Sequence, residues 1–141
     1  MRVVFDTNIY VSFLISSSGT ITELLNFWQQ GKFEVFISSE ILAELGQVLL
    51  GPKLKSYLCL TRQEIKQYLK LVAQTSLVAK VDCRVNLIKE DPADNKFLEL
   101  AKTIGADFIV TGDRHLLRLE QFGETKIISA KELVEKIDKS R

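Results

Sequence analysis

The sequence predicts an α/β sandwich with a parallel sheet. Three observations lead there: short continuous apolar runs recur along the chain, helix-start signals fall between them, and two of the runs end on a carboxylate. A continuous run, rather than an alternating one, suits a strand covered on both faces. Strands that alternate with helices imply right-handed crossover units.

The strands come first. Arg2–Asp6 contains Val3-Val4-Phe5, Val35–Ile37 is a second run, Phe108–Thr111 a third and Lys126–Ile128 a fourth. Leu77–Val81 and Val85–Ile88 carry a fainter strand pattern. Helix starts are legible between them. Thr20–Glu23, Thr61–Glu64 and Ser129–Glu132 read as capping boxes, in which the hydroxyl and the Glu side chain satisfy orphan backbone N–H groups reciprocally. Ser38 or Ser39 can cap a helix running through Ile41, Leu45 and Val48. Asp91-Pro92 reads as an N-cap followed by proline at the first helical position.

The chain has 141 residues, which suits a single domain over 1–141 with a self-sufficient core. It is 46% hydrophobic and 26% charged, so long disordered or collagen-like sequence is excluded. Net charge is +1, which argues against nucleic-acid binding through bulk positive charge. Cys59 and Cys83 fit neither a disulfide framework nor a zinc site and read as small buried apolar residues in a reducing cytosol. The N-terminal apolar run is broken by Asp6 and Asn8 without a cleavage site, so it does not read as a secretory leader. No stretch reaches the roughly 18 apolar residues of a membrane span. A cytoplasmic location is expected.

In parallel sheets, ligands bind beyond the C-terminal strand ends. The first strand ends in Asp6-Thr7-Asn8 and the third in Thr111-Gly112-Asp113. On the helix from Ile41, Glu44 lies at the edge of the Ile41, Leu42, Leu45, Val48, Leu49 stripe. On the helix from Pro92, Asp94 lies nearer the apolar face of Phe97, Leu100, Ala101 and Ile104 than Asn95, Glu99 or Lys102 do. Asp6, Glu44, Asp94 and Asp113 can therefore converge from four elements. Clustered carboxylates repel, and a divalent cation relieves that repulsion. Hard oxygen donors suit Mg²⁺ or Mn²⁺, which can activate water for displacement at phosphorus. Taken singly, each acid also has a bland reading: Asp6 and Asp113 as turn residues, Asp94 as a first-turn acid favoured by the helix dipole, Glu44 as a stripe-edge Glu.

Four blocks carry a resemblance to the PIN domain family of ribonucleases: Val3-Val4-Phe5-Asp6-Thr7-Asn8, Ser38–Leu45, Asp91–Ala101 and Ala106–Asp113. Their order and spacing look like the VapC-like toxins of toxin–antitoxin pairs. The resemblance covers nearly the whole chain. It implies a three-layer α/β/α fold and cleavage of single-stranded RNA dependent on Mg²⁺ or Mn²⁺. Matched by position, Asp6, Glu44, Asp94 and Asp113 would be the metal-binding and catalytic acids. Asp6, Asp94 and Asp113 would hold the metal, and Glu44 a second ion or the attacking water. Asn8 and Thr111 match supporting polar positions. Asp91 reads as a cap but is a further acid near the site. An antitoxin partner and a homodimer are also implied, and Phe27 and Trp28 fit either a subunit interface or the core.

Arg62, Lys66 and Lys70 share a helical face, and with Lys53 and Lys55 they read as a solvated face or a phosphate rim joined by Arg114 and Arg118. Tyr57 and Tyr68 could stack on bases or pack. His115, the only histidine, fits a short helix with Leu116 and Leu117. A receiver-like signalling domain needs an acidic pair after its first strand, where Asp6 stands alone, and a lysine after its last, where Ser129-Ala130 follows. An Asp-nucleophile phosphatase wants Asp-x-Asp, and residue 8 is Asn. A catalytically silent binding module of the same fold stays open. Setting aside the four acids as metal-neutralised shifts the formal charge from +1 to +5, an acidic pit in a mildly basic surface.

Overall fold

The computed structural model describes residues 1–89 and 92–140. Its elements are β1 (Arg2–Phe5), α1 (Thr7–Ile15), α2 (Gly19–Gln29), β2 (Glu34–Ile37), α3 (Ser39–Leu50), α4 (Pro52–Lys55) and α5 (Arg62–Thr75). There follow β3 (Leu77–Val78), a 3-10 turn (Pro92–Asp94), α6 (Asn95–Ile104), β4 (Phe108–Val110), α7 (Arg114–Leu117), β5 (Gln121–Phe122), β6 (Thr125–Ile128) and α8 (Ala130–Lys139). The six strands form one sheet in the order β3-β2-β1-β4-β6-β5, an α/β sandwich as expected.

All neighbours in the sheet are parallel except β5, which pairs antiparallel with β6 at one edge. That edge strand is two residues long, too short for an apolar period, and was not foreseen. Gly123 takes φ +58° in the turn that reverses the chain into β6. The central strand β1 sits in register with both neighbours, Val3 opposite Val35 and Phe108, and Val4 opposite Phe36 and Ile109. Val3, Val4 and Phe5 are wholly buried, which is why their run is continuous. Phe5 is the hub of an aromatic cluster with Tyr10, Phe13, Trp28 and Phe33 in edge-on contacts. Phe27 is buried and Trp28 packs into that cluster, so both serve the core.

The caps at Ser38, Thr61 and Ser129 form as read, with both capping boxes closed. Two helix readings change. No helix was foreseen over Thr7–Ile15, because α1 is apolar nearly all round and shows no stripe; Ile9, Tyr10 and Val11 are buried. Helix α2 starts at Gly19 after Ser18, so Thr20 is already helical and caps nothing. The Asp91 cap reading lies outside the described residues.

Leu77–Val81 contributes only the two residues of β3, and Val85–Ile88 forms no strand. The reason is visible in α6. The N–H groups of Leu87 and Ile88 donate to Asn95 Oδ1 at 3.2 and 2.9 Å, and Asn95 Nδ2 donates to the Ile88 carbonyl at 3.1 Å. The N–H of Val85 donates to Glu99 Oε2 at 2.9 Å. Side chains of the helix thus replace a neighbouring strand. Asn95 and Glu99, expected on the solvated side, are buried for this reason. Cys59 is exposed rather than buried, and Cys83 is partly covered. Among the described residues no helix is long and apolar enough to cross a membrane.

Candidate active site

From β1 the chain steps outward to β2 and β3, then returns by α6 to the other side of β1 for β4 and β6. The order reverses between β1 and β4, the position at which open parallel sheets leave a crevice beyond their strand ends. Asp6 and Thr111–Asp113 emerge there.

The Asp6 N–H extends the ladder by donating to the Val110 carbonyl at 3.0 Å, and the Thr111 N–H does the same to Ile128 at 3.0 Å. These bonds fix both strand ends. The Thr111 hydroxyl donates to Asp6 Oδ2 at 2.6 Å and accepts the Asp113 N–H at 2.9 Å. Asp6 Oδ1 accepts the Asn8 N–H at 3.4 Å, and Asp113 Oδ1 accepts the His115 N–H at 2.8 Å. One buried threonine therefore ties the two aspartates together, and each aspartate also caps the helix that follows it.

Asp6 is buried, and burial pushes its carboxyl above the ordinary carboxylate range. The Thr111 hydroxyl and the Asn8 N–H hold it down in part, while the charges of Asp113 and Glu44 push it further up. Asp6, Asp113 and Glu44 are thus within electrostatic reach of one another.

Glu44 is half-buried on α3. Its Oε1 accepts the Thr7 hydroxyl, and its Oε2 pairs with the ammonium of Lys96. Neither partner was singled out from the sequence; the available signal for Lys96 is its place beside Phe97 at the margin of the α6 stripe. Asp94 is buried as the last residue of the 3-10 turn. Lys96 lies in the first turn of α6, so the helix start that carries Asp94 faces the Glu44 end of α3.

The supporting residues divide. Thr111 is central, Asn8 contributes its backbone N–H while exposed, and Arg114 stands exposed at the start of α7 beside Asp113. The Tyr68 hydroxyl donates to the Tyr10 carbonyl at 2.6 Å, which makes it a packing residue. Burial drives the Tyr68 phenol well above its ordinary range. Arg62 borders a hollow with Leu49, Leu50 and Lys55 at the C-terminal end of α3, whereas Glu44 stands nearer its N-terminal end.

Among the described residues, no group of three or more His, Cys, Asp or Glu side chains is arranged to hold a metal ion. The donor chemistry nevertheless fits a hard divalent cation: oxygen ligands, one of them pushed toward protonation by burial and by two further negative charges.

A family model described as PIN domain matches residues 2–115. The uncharacterized protein MJ1680 of Methanocaldococcus jannaschii is 29% identical over 147 residues, covering 99% of this chain and 93% of that protein. Among solved structures, VapBC2 from Rickettsia felis, bound to a DNA fragment from its promoter, aligns with TM-score 0.62 at 14% identity, over 92% of this chain and 98% of that one. PAE2754 from Pyrobaculum aerophilum aligns with TM-score 0.59 at 16% identity, over 98% and 89%. These two likenesses extend to the fold. With four-fifths of its length matched by the family model and the acids at the strand ends of that fold, the chain belongs to the PIN domain family.

Proposed function

We propose that this protein is a Mg²⁺- or Mn²⁺-dependent endoribonuclease that hydrolyses single-stranded RNA, acting as the toxin of a toxin–antitoxin pair. The observation that carries the reading is the buried Asp6 carboxylate, tied through Thr111 to Asp113 at the sheet's switch point. Membership of a family composed generally of nucleases supports it.

Asp6, Asp94 and Asp113 would hold the ion. When bound, the ion lowers the pKa of a water and offsets charge on the phosphate. Thr111 aims Asp6 and favours its ionised form. Glu44, held by Thr7 and Lys96, orients the attacking water. The water oxygen bonds to phosphorus as the bond from phosphorus to the leaving sugar oxygen breaks. Arg114 and the Asn8 side chain are exposed where they can meet the phosphate.

A fold shared with VapBC2 supports an antitoxin partner. The same reading takes residues 1–141 as one cytoplasmic domain that pairs as a homodimer. The test is incubation of the purified chain, checked for a co-purified partner, with a mixed single-stranded RNA pool and Mn²⁺ or Mg²⁺. Cleavage that EDTA abolishes is expected. Cleavage indifferent to EDTA, or none with either metal, would sink the reading.

A further inference from the structure

We infer that Lys96 is a built-in cation of this site, pairing Glu44 so that the acidic end takes one divalent ion per chain rather than two. The inference rests on the metal-dependent reading above and adds the number of ions and the residue that sets it.

The Lys96 side chain is only 13% exposed. Lysine is almost never buried unless paired, because its ammonium gives up strong hydration. Here the pairing is complete on the acid's side. Glu44 Oε2 meets the ammonium and Oε1 accepts the Thr7 hydroxyl, so both carboxylate oxygens are engaged by the protein itself. The ammonium also lies 5.5 Å from the centre of the Phe97 ring, and Phe97 is wholly buried. Asp6 is held differently. Its oxygens accept from a hydroxyl and a backbone N–H, both neutral donors.

The two acids therefore differ in kind. Asp6 is bonded by neutral donors, which leave its negative charge for an ion to offset. At Glu44 the positive charge is already supplied by a side chain anchored two residues after Asp94. A second ion at Glu44 would have to displace the ammonium from its carboxylate and leave it beside a dication. Lys96 is on this account a positioning residue: it orients Glu44 and excludes the second metal.

Calorimetric titration with Mn²⁺ alone, without RNA, decides the matter. One Mn²⁺ per wild-type chain is expected. Lys96→Met frees Glu44 and is expected to take up two. The double variant Glu44→Gln/Lys96→Met removes both charges together and is expected to return to one; if Lys96→Met fails to fold, Lys96→Gln, which also keeps Glu44 and removes the ammonium, carries the test with the same expectation of two. Two Mn²⁺ per wild-type chain, or one in a folded Lys96→Met, overturns the inference and leaves metal-dependent cleavage standing. No uptake by the wild-type chain overturns the metal reading and this inference with it.

Discussion

Thr111→Val isolates the link between fold and chemistry. The substitution keeps the shape of a wholly buried side chain and removes one hydroxyl. That hydroxyl makes two bonds, donating to Asp6 Oδ2 at 2.6 Å and accepting from the Asp113 N–H at 2.9 Å. A hydrogen bond to a charged group contributes about 1.5–3 kcal/mol, and a buried donor left without a partner costs about 1–3 kcal/mol. Allowing for relaxation, a loss of about 3 kcal/mol is expected. For a domain near this size that lowers Tm by roughly 6–12 °C. Thr111→Ser keeps the hydroxyl and loses one buried methyl, for about 1 kcal/mol. The electrostatic consequence has a definite sign. The Thr111 hydroxyl is the strongest influence holding the Asp6 carboxyl down, so its removal raises that carboxyl further. An ion needs Asp6 ionised, so the acid limb of Mn²⁺ binding moves to higher pH in Thr111→Val and stays near wild type in Thr111→Ser. Thermal melts and Mn²⁺ titrations across pH read both effects. An acid limb that is unmoved, or moved to lower pH, would refute the reasoning.

Three further outcomes follow from the same contacts. Because the folded state raises the Asp6 carboxyl above its unfolded value, the stability this group contributes is present at low pH and is lost as pH rises through the folded pKa. Metal-free Asp6→Asn should therefore melt above the wild type at pH 7, with the gap closing toward pH 4; a gap that opens toward low pH contradicts this. Asn95→Leu strips three backbone groups of Leu87 and Ile88 of their partner, the two of Ile88 buried, and should cost about 2 kcal/mol in chemical denaturation; a loss below about 0.5 kcal/mol would mean that the segment does not depend on α6. Arg84 is largely exposed although it pairs with Glu40 and Glu99, so Arg84→Ala should leave Tm nearly unchanged.

What the sequence disclosed follows from range. Strands β1, β2, β4 and β6 were legible because each buries a continuous run, and the caps at Ser38, Thr61 and Ser129 because the residues that make them are three apart. The acids at Asp6 and Asp113 were legible as strand-end carboxylates. Helix α1 was hidden because a helix buried nearly all round has no stripe. The partners of Glu44 were hidden because they are tertiary: Thr7 is 37 positions away and Lys96 is 52. Asn95 and Glu99 misled because helical periodicity assigns polar residues to solvent, whereas here they serve a strandless backbone.

On the proposed function, the Asp6–Thr111–Asp113 constellation carries metal-dependent hydrolysis of RNA. Single-turnover cleavage of a single-stranded RNA pool at saturating Mn²⁺ tests it most directly, comparing wild type with Asp6→Asn and Asp113→Asn of verified fold. The account predicts that each variant loses more than about 100-fold in rate, as expected when a metal ligand loses its charge. Cleavage by either variant at the wild-type rate would contradict it.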